Sequence, residues 1–116
     1  MTTNNNKLLL EAANLAVTNG DNEGFLKYCT EDVKWIFVGD KILTGKKEVL
    51  KYMNETYLEP PKFKVKNLIA ENNFVTAIGD ICLKYKDGKA TNYKYCDVWK
   101  FREGKMAELK AFVIEC

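Results

Sequence analysis

The strongest constraint on this chain lies in its last third. Between residues 90 and 115 two alternating runs are bounded by two glycine-closed turns, Lys86-Asp87-Gly88 and Arg102-Glu103-Gly104. In the first run Tyr93, Tyr95, Asp97, Trp99 and Phe101 share one face; Asn92, Lys94, Cys96, Val98, Lys100 and Arg102 share the other. A period-two contrast of this kind is a strand with one face buried. The chain must therefore build a sheet and supply something to cover its aromatic side.

The turns predict the register. Each suits a three-residue loop, a type I turn closed by a left-handed glycine. In the first, Tyr85 then pairs with Lys89, which sets Asp97 against Ala77 and Tyr95 against Gly79. In the second, Phe101 pairs with Lys105, which sets Asp97 against Leu109, Tyr95 against Ala111 and Trp99 against Ala107. Paired residues share a face, so large side chains alternate with small ones. They either interdigitate with a helix or leave a cavity. Core packing alone does not call for so many tyrosines, whose hydroxyls need partners, and a mixed polar and apolar pocket is favoured.

The cover comes from the first half. Leu8, Leu9, Ala12, Leu15 and Ala16 recur at helical spacing over 7–19, after a polar stretch over 1–6 expected to be a flexible tail. Gly20 stops this helix in the left-handed conformation, and Asp21 caps a short second helix to about Cys29 with Phe25 and Leu26 inward. Residues 33–38 are a strand by composition, Gly39-Asp40 a turn, and 41–43 a short return. A third helix runs from Thr44-Gly45 to about Leu58, with Val49, Met53 and Tyr57 in one stripe and Leu50 beside it. Pro60-Pro61 ends it. Strands follow over 63–71, 74–85, 90–101 and 105–115. Helices first and a meander last give an α+β fold, one domain over 1–116, with helices on a curved, largely antiparallel sheet around a pocket.

Asp97 stands out among these residues. An ionised carboxylate between tyrosines and a tryptophan is costly to desolvate, so its pKa should rise unless donors satisfy it. The competing explanation is that a neighbouring Tyr, Trp or backbone group does satisfy it. Trp35, Phe37, Met53, Tyr57, Tyr93, Tyr95 and Trp99 are the expected walls. Asn67 is expected to face inward with Val65 and Ile69. Lys62, Lys64 and Lys66 are expected on a solvated face that discourages edge pairing. Phe74, Ile78, Val98, Phe112 and Ile114 fall on the face away from the pocket, an apolar surface suited to a homodimer.

Composition narrows the chemistry. The chain has no histidine, which removes imidazole bases, His-assisted nucleophiles and His-ligated metals. Acid–base work falls to carboxylates, tyrosines or lysines. Cys29, Cys82, Cys96 and Cys116 form no metal-like spacing and are expected as reduced thiols. No metal and no cofactor are expected. A net charge of +2 gives no support for a nucleic-acid partner. With no apolar run long enough for a membrane, a cytoplasmic protein is expected.

The order of elements resembles the SnoaL-like branch of the NTF2-like superfamily across nearly the whole chain. The residues that carry the resemblance are Asn19-Gly20-Asp21, Glu31-Asp32-Val33-Lys34-Trp35, Thr44-Gly45-Lys46-Lys47-Glu48, and the hairpin from Val98 to Met106. The resemblance implies a cone-shaped domain, frequent dimers, and roles ranging over isomerases, cyclases, dehydratases, hydrolases and non-catalytic binding modules. Cys96-Asp97-Val98 is similar to the ketosteroid isomerase segment that carries a protonated aspartic acid. That likeness implies Asp97 as hydrogen-bond donor or acid–base group, and Leu109, Ala111 and Val113 as pocket lining. Where that family has its general-base aspartate this chain has Phe37, and where it has its hydrogen-bonding tyrosine this chain has Ala13. Steroid-type isomerisation is therefore disfavoured, with Asp97 as the remaining expected base. Two expectations result: a ligand-binding protein or enzyme for a small, mostly apolar, oxygen-bearing molecule, or a non-catalytic dimeric module whose pocket is filled by its own side chains.

Overall fold

In a computed structural model, residues 2–84 and 87–116 are described. The order is α1 (Thr2–Thr18), α2 (Asn22–Leu26), β1 (Cys29–Phe37), β2 (Lys41–Thr44), α3 (Gly45–Thr56), β3 (Lys62–Glu71), β4 (Phe74–Lys84), β5 (Ala90–Arg102) and β6 (Lys105–Glu115). The six strands form one open sheet in the order β2-β1-β6-β5-β4-β3. The β1–β6 pairing is parallel and the others are antiparallel. α1 packs over β3 and β4, and α3 over β1 and β2. This is the expected α+β architecture.

Local chemistry explains the helix boundaries. Gly20 is left-handed at φ 78° and ends α1. The Asp21 carboxylate accepts a hydrogen bond from the Gly24 N–H at 2.9 Å and caps α2. At α3 the Glu48 carboxylate reaches back to the Thr44 N–H at 2.8 Å. Phe25 and Leu26 are buried as the short second helix requires.

α1 departs from expectation in two ways. It begins at Thr2, so residues 2–6 are helix, not an irregular tail. Its buried stripe is Asn6, Leu10, Ala13 and Val17, while Leu8 and Leu15 are 64% and 60% exposed. Leu8 and Leu15 thus face away from the sheet, while Leu9 and Ala16 of the expected stripe flank the buried one and pack against the core. Asn6 hid the correct one, because a polar residue at a fully packed position breaks the apolar pattern. Its Nδ2 is buried without a partner among the described residues.

The β4–β5 register is the expected one, with Asp97 opposite Ala77 and Tyr95 opposite Gly79. The loop expected over Lys86-Asp87-Gly88 lies partly outside the described residues. The β5–β6 register differs. Arg102 pairs with Lys105, so the loop is the two-residue Glu103-Gly104 with φ 51° and 76°, the left-handed pair of a type I′ turn. A bulge between Lys100 and Phe101 then adds another residue. Asp97 consequently faces Ala111, Trp99 faces Leu109 and Tyr95 faces Val113. The two one-residue departures sum to two, so the β6 side chains from Glu108 onward keep their expected faces, while before the bulge Met106 pairs with Phe101 and is buried in place of Lys105.

Candidate functional site

The concave face of the sheet is a grid set by pairing. One row reads Ala77, Asp97, Ala111, Phe37; the next reads Val75, Trp99, Leu109, Trp35. Alanines on both sides of Asp97 leave space above it. The large rings in the adjacent row meet the helices instead. Trp35 makes edge contacts with Phe25, Phe37, Tyr52 and Trp99 at ring separations of 5.8–6.2 Å. Tyr52 of α3 in turn contacts Phe37 at 5.2 Å and Tyr57 at 6.3 Å.

These residues enclose a cavity of about 330 Å³, within the range of small-molecule sites. Of the residues singled out from sequence, Trp35, Phe37, Met53, Tyr57, Tyr93, Tyr95, Asp97, Trp99, Leu109, Ala111 and Val113 all line it. Asn67 does not. It is exposed and pairs with Ile78, on the convex face. A register shift between Val65 and Asn67 inverts the facing of β3 at that point, so Asn67 and Ile69 turn outward.

Sequence reasoning missed several lining residues, among them Asn14, Asp40, Tyr52 and Phe63. Tyr52 had a signal, lying three residues after Val49 on the same helix face. Asp40 had none. It sits in the β1–β2 turn, whose Asp40 N–H bonds the Phe37 carbonyl at 2.9 Å, and this fold of the turn brings it to the cavity rim. The site therefore holds two carboxylates, Asp97 inside and Asp40 exposed at the edge, and the expectation of a single carboxylate is corrected.

Electrostatics separates the polar groups. Asp97 keeps some exposure through the cavity it lines, yet protein surrounds it. Burial pushes its pKa up from 3.8 to about 7, and no hydrogen bond or ion pair reaches its carboxyl among the described residues. Tyr95 is pushed up to about 12, by burial first and then by the charges of Asp97 and Asp80. Burial also raises Tyr52, against a hydrogen bond with Thr56 that lowers it. The buried Trp35 N–H has no acceptor among the described residues. An apolar box with an acid poised near neutrality can hydrogen-bond a polar atom of a ligand as donor or acceptor and can exchange a proton with it.

The convex face carries a different pattern. Phe74, Ile78, Phe112 and Ile114 are 38–70% exposed there. Asp80 between them pairs with Lys66 at 2.9 Å and Lys94 at 3.3 Å. All four cysteines are free thiols. No helix among the described residues is long and apolar enough to cross a membrane.

No curated protein matches the chain. Solved structures of the same fold do. An NTF2-like protein of unknown function from Burkholderia pseudomallei K96243 is similar with a TM-score of 0.81 and 18% identity, over 92% of this chain and 88% of that one. Bal32a, from a soil-derived mobile gene cassette, is similar with a TM-score of 0.84 and 16% identity, over 97% and 92%. A candidate ketosteroid isomerase from Kribbella flavida DSM 17836 is similar with a TM-score of 0.78 and 18% identity, over 98% and 81%. At these identities the likeness is one of fold. The fold is that of these NTF2-like neighbours, and residues 10–109 match the SnoaL-like domain, so the chain belongs to the SnoaL-like family.

Proposed function

We propose that the chain binds a small, mostly apolar, oxygen-bearing molecule in the concave cavity. Asp97 hydrogen-bonds its polar end and moves a proton there, in an isomerisation, cyclisation or dehydration. The observation that carries this is a carboxyl group with no hydrogen-bond or ion-pair partner among the described residues, held among aromatic rings in about 330 Å³ of space. A buried acid that only served the fold would be expected to have donors. Phe37 and Ala13 in place of the isomerase base and tyrosine argue against the steroid reaction. The direct test is the titration of Asp97 by carbon-detected NMR. A midpoint near 7 supports the proposal, and one in the ordinary carboxylate range sinks it.

The exposed apolar residues Phe74, Ile78, Phe112 and Ile114 favour a second role, dimerisation through the convex face. It is compatible with ligand binding on the concave side. A purely structural module with a filled pocket is harder to reconcile with the cavity volume.

A further inference from the structure

The charge pattern of the cavity goes further than its shape. Among its described lining residues the two that carry formal charge are both acidic, Asp97 and Asp40. No lysine or arginine is among them in the described residues. Nine of the lining side chains are aromatic, and ring faces present negative potential. The ammonium of Lys41 shows the preference at the rim: its Nζ lies 5.3 Å from the centroid of Tyr52, a lining ring. An anion entering this box would meet two carboxylates, with the Lys41 ammonium already over the Tyr52 ring at the rim. A neutral molecule gains only burial and hydrogen bonds. A cation with an apolar body gains burial, the ring faces and a carboxylate that no group among the described residues already occupies.

We infer that the ligand presented to Asp97 is a protonated amine on an aromatic or other apolar body. The inference rests on the ligand-binding role proposed above and adds the ligand's charge. The ammonium meets the ionised Asp97 carboxylate. The Tyr95 hydroxyl, which has no hydrogen-bond partner among the described residues, is left for the ligand's oxygen. Asp40 at the rim favours approach of the cation.

The sign of the pH dependence follows. The titratable groups facing the cavity are Asp97, Tyr93 and Tyr95 from β5, Tyr52 from α3, Tyr57 beyond it and Asp40 in the β1–β2 turn. The lining residues of α1, α2, β1, β3, β4 and β6 add none among those described. Burial pushes Tyr52 up and Tyr95 up to about 12, away from neutrality, whereas it brings Asp97 up to about 7, so Asp97 is the group whose shift places its charge change near neutrality. Amine binding requires it ionised and should weaken as pH falls from 8 to 5.5.

The test uses three probes that share one indole body: tryptamine, tryptophol and indole-3-acetate. Calorimetry and thermal shift are run on the full chain at pH 8 and pH 5.5. Tryptamine should bind about tenfold or more tighter than tryptophol at pH 8, with indole-3-acetate weakest. The tryptamine preference should shrink about tenfold or more at pH 5.5. Asp97→Asn should abolish the preference for tryptamine over tryptophol at pH 8. The pH comparison on the unsubstituted chain stands alone should that variant fold poorly. Tryptophol binding as well as tryptamine at pH 8 overturns the charge inference and leaves the cavity role intact. Tightest binding by indole-3-acetate does the same. Failure of all three to bind overturns the inference, and the NMR titration of Asp97 then decides separately on the proposed function.

Discussion

The Tyr95 hydroxyl lies 2.9 Å from the point where a side chain would begin at Gly79, its cross-strand partner. The Lys64 carbonyl of β3 crowds the same point still more closely. Glycine at 79 lets the tyrosine lie across β4 and lets β3 approach at its bulge. Gly79→Ala should lower stability by about 1–3 kcal/mol in urea unfolding. Combining it with Tyr95→Phe should recover only part of the loss, because the Lys64 carbonyl is backbone and cannot swing away. Full recovery would show that the tyrosine alone sets the cost.

Asp97 should make the fold less stable as pH rises. Below about pH 4 the folded and unfolded chains are both protonated at this group, and it imposes no penalty. Between there and about 7 the unfolded chain has released the proton while the folded chain retains it. Stability therefore falls through that window and levels off above it. Asp97→Asn should remove the slope and stabilise the chain at pH 8 by roughly 2–4 kcal/mol. Equal urea midpoints for the two chains at pH 8 would refute the desolvated carboxylate.

Ala111 pairs with both Asp97 and Phe37 and lines the cavity between them. Ala111→Val should fill space beside the carboxyl without displacing packed neighbours. Stability should change by less than about 1 kcal/mol, while binding of any cavity ligand is lost. Retained binding would place the ligand elsewhere.

Phe112 is 44% exposed on the convex face and pairs there with Cys96, beside Ile78. If two copies meet through this face, Phe112→Glu should shift the sedimentation coefficient from dimer to monomer and leave the Asp97 titration unmoved. A monomeric unsubstituted chain at micromolar concentration would remove the interface.

Much of the site was legible because strand geometry is local. Once β5 is a strand with Tyr93, Tyr95, Asp97 and Trp99 on one face, the covalent period of two fixes their common direction. For the cavity-lining residues of β6 even the wrong loop length did not matter, since the turn and the bulge together changed their register by an even number. Asn67 shows the opposite case. A single bulge in β3 changes the count by one and reverses the side chain, and nothing in Lys64-Val65-Lys66-Asn67 marks where the extra residue falls.

What the sequence determined by itself was therefore the period of each element, the stops at Gly20 and Pro60-Pro61, and the isolation of one carboxylate among aromatic residues. Which side of α1 faces the sheet, the arrival of Asp40 at the rim and the absence of a donor to Asp97 among the described residues were decided only by tertiary structure. The physical reason is that these depend on contacts between residues far apart in the chain. Local propensity constrains the backbone of a segment, but burial and partnership are set by which other segment comes to lie against it.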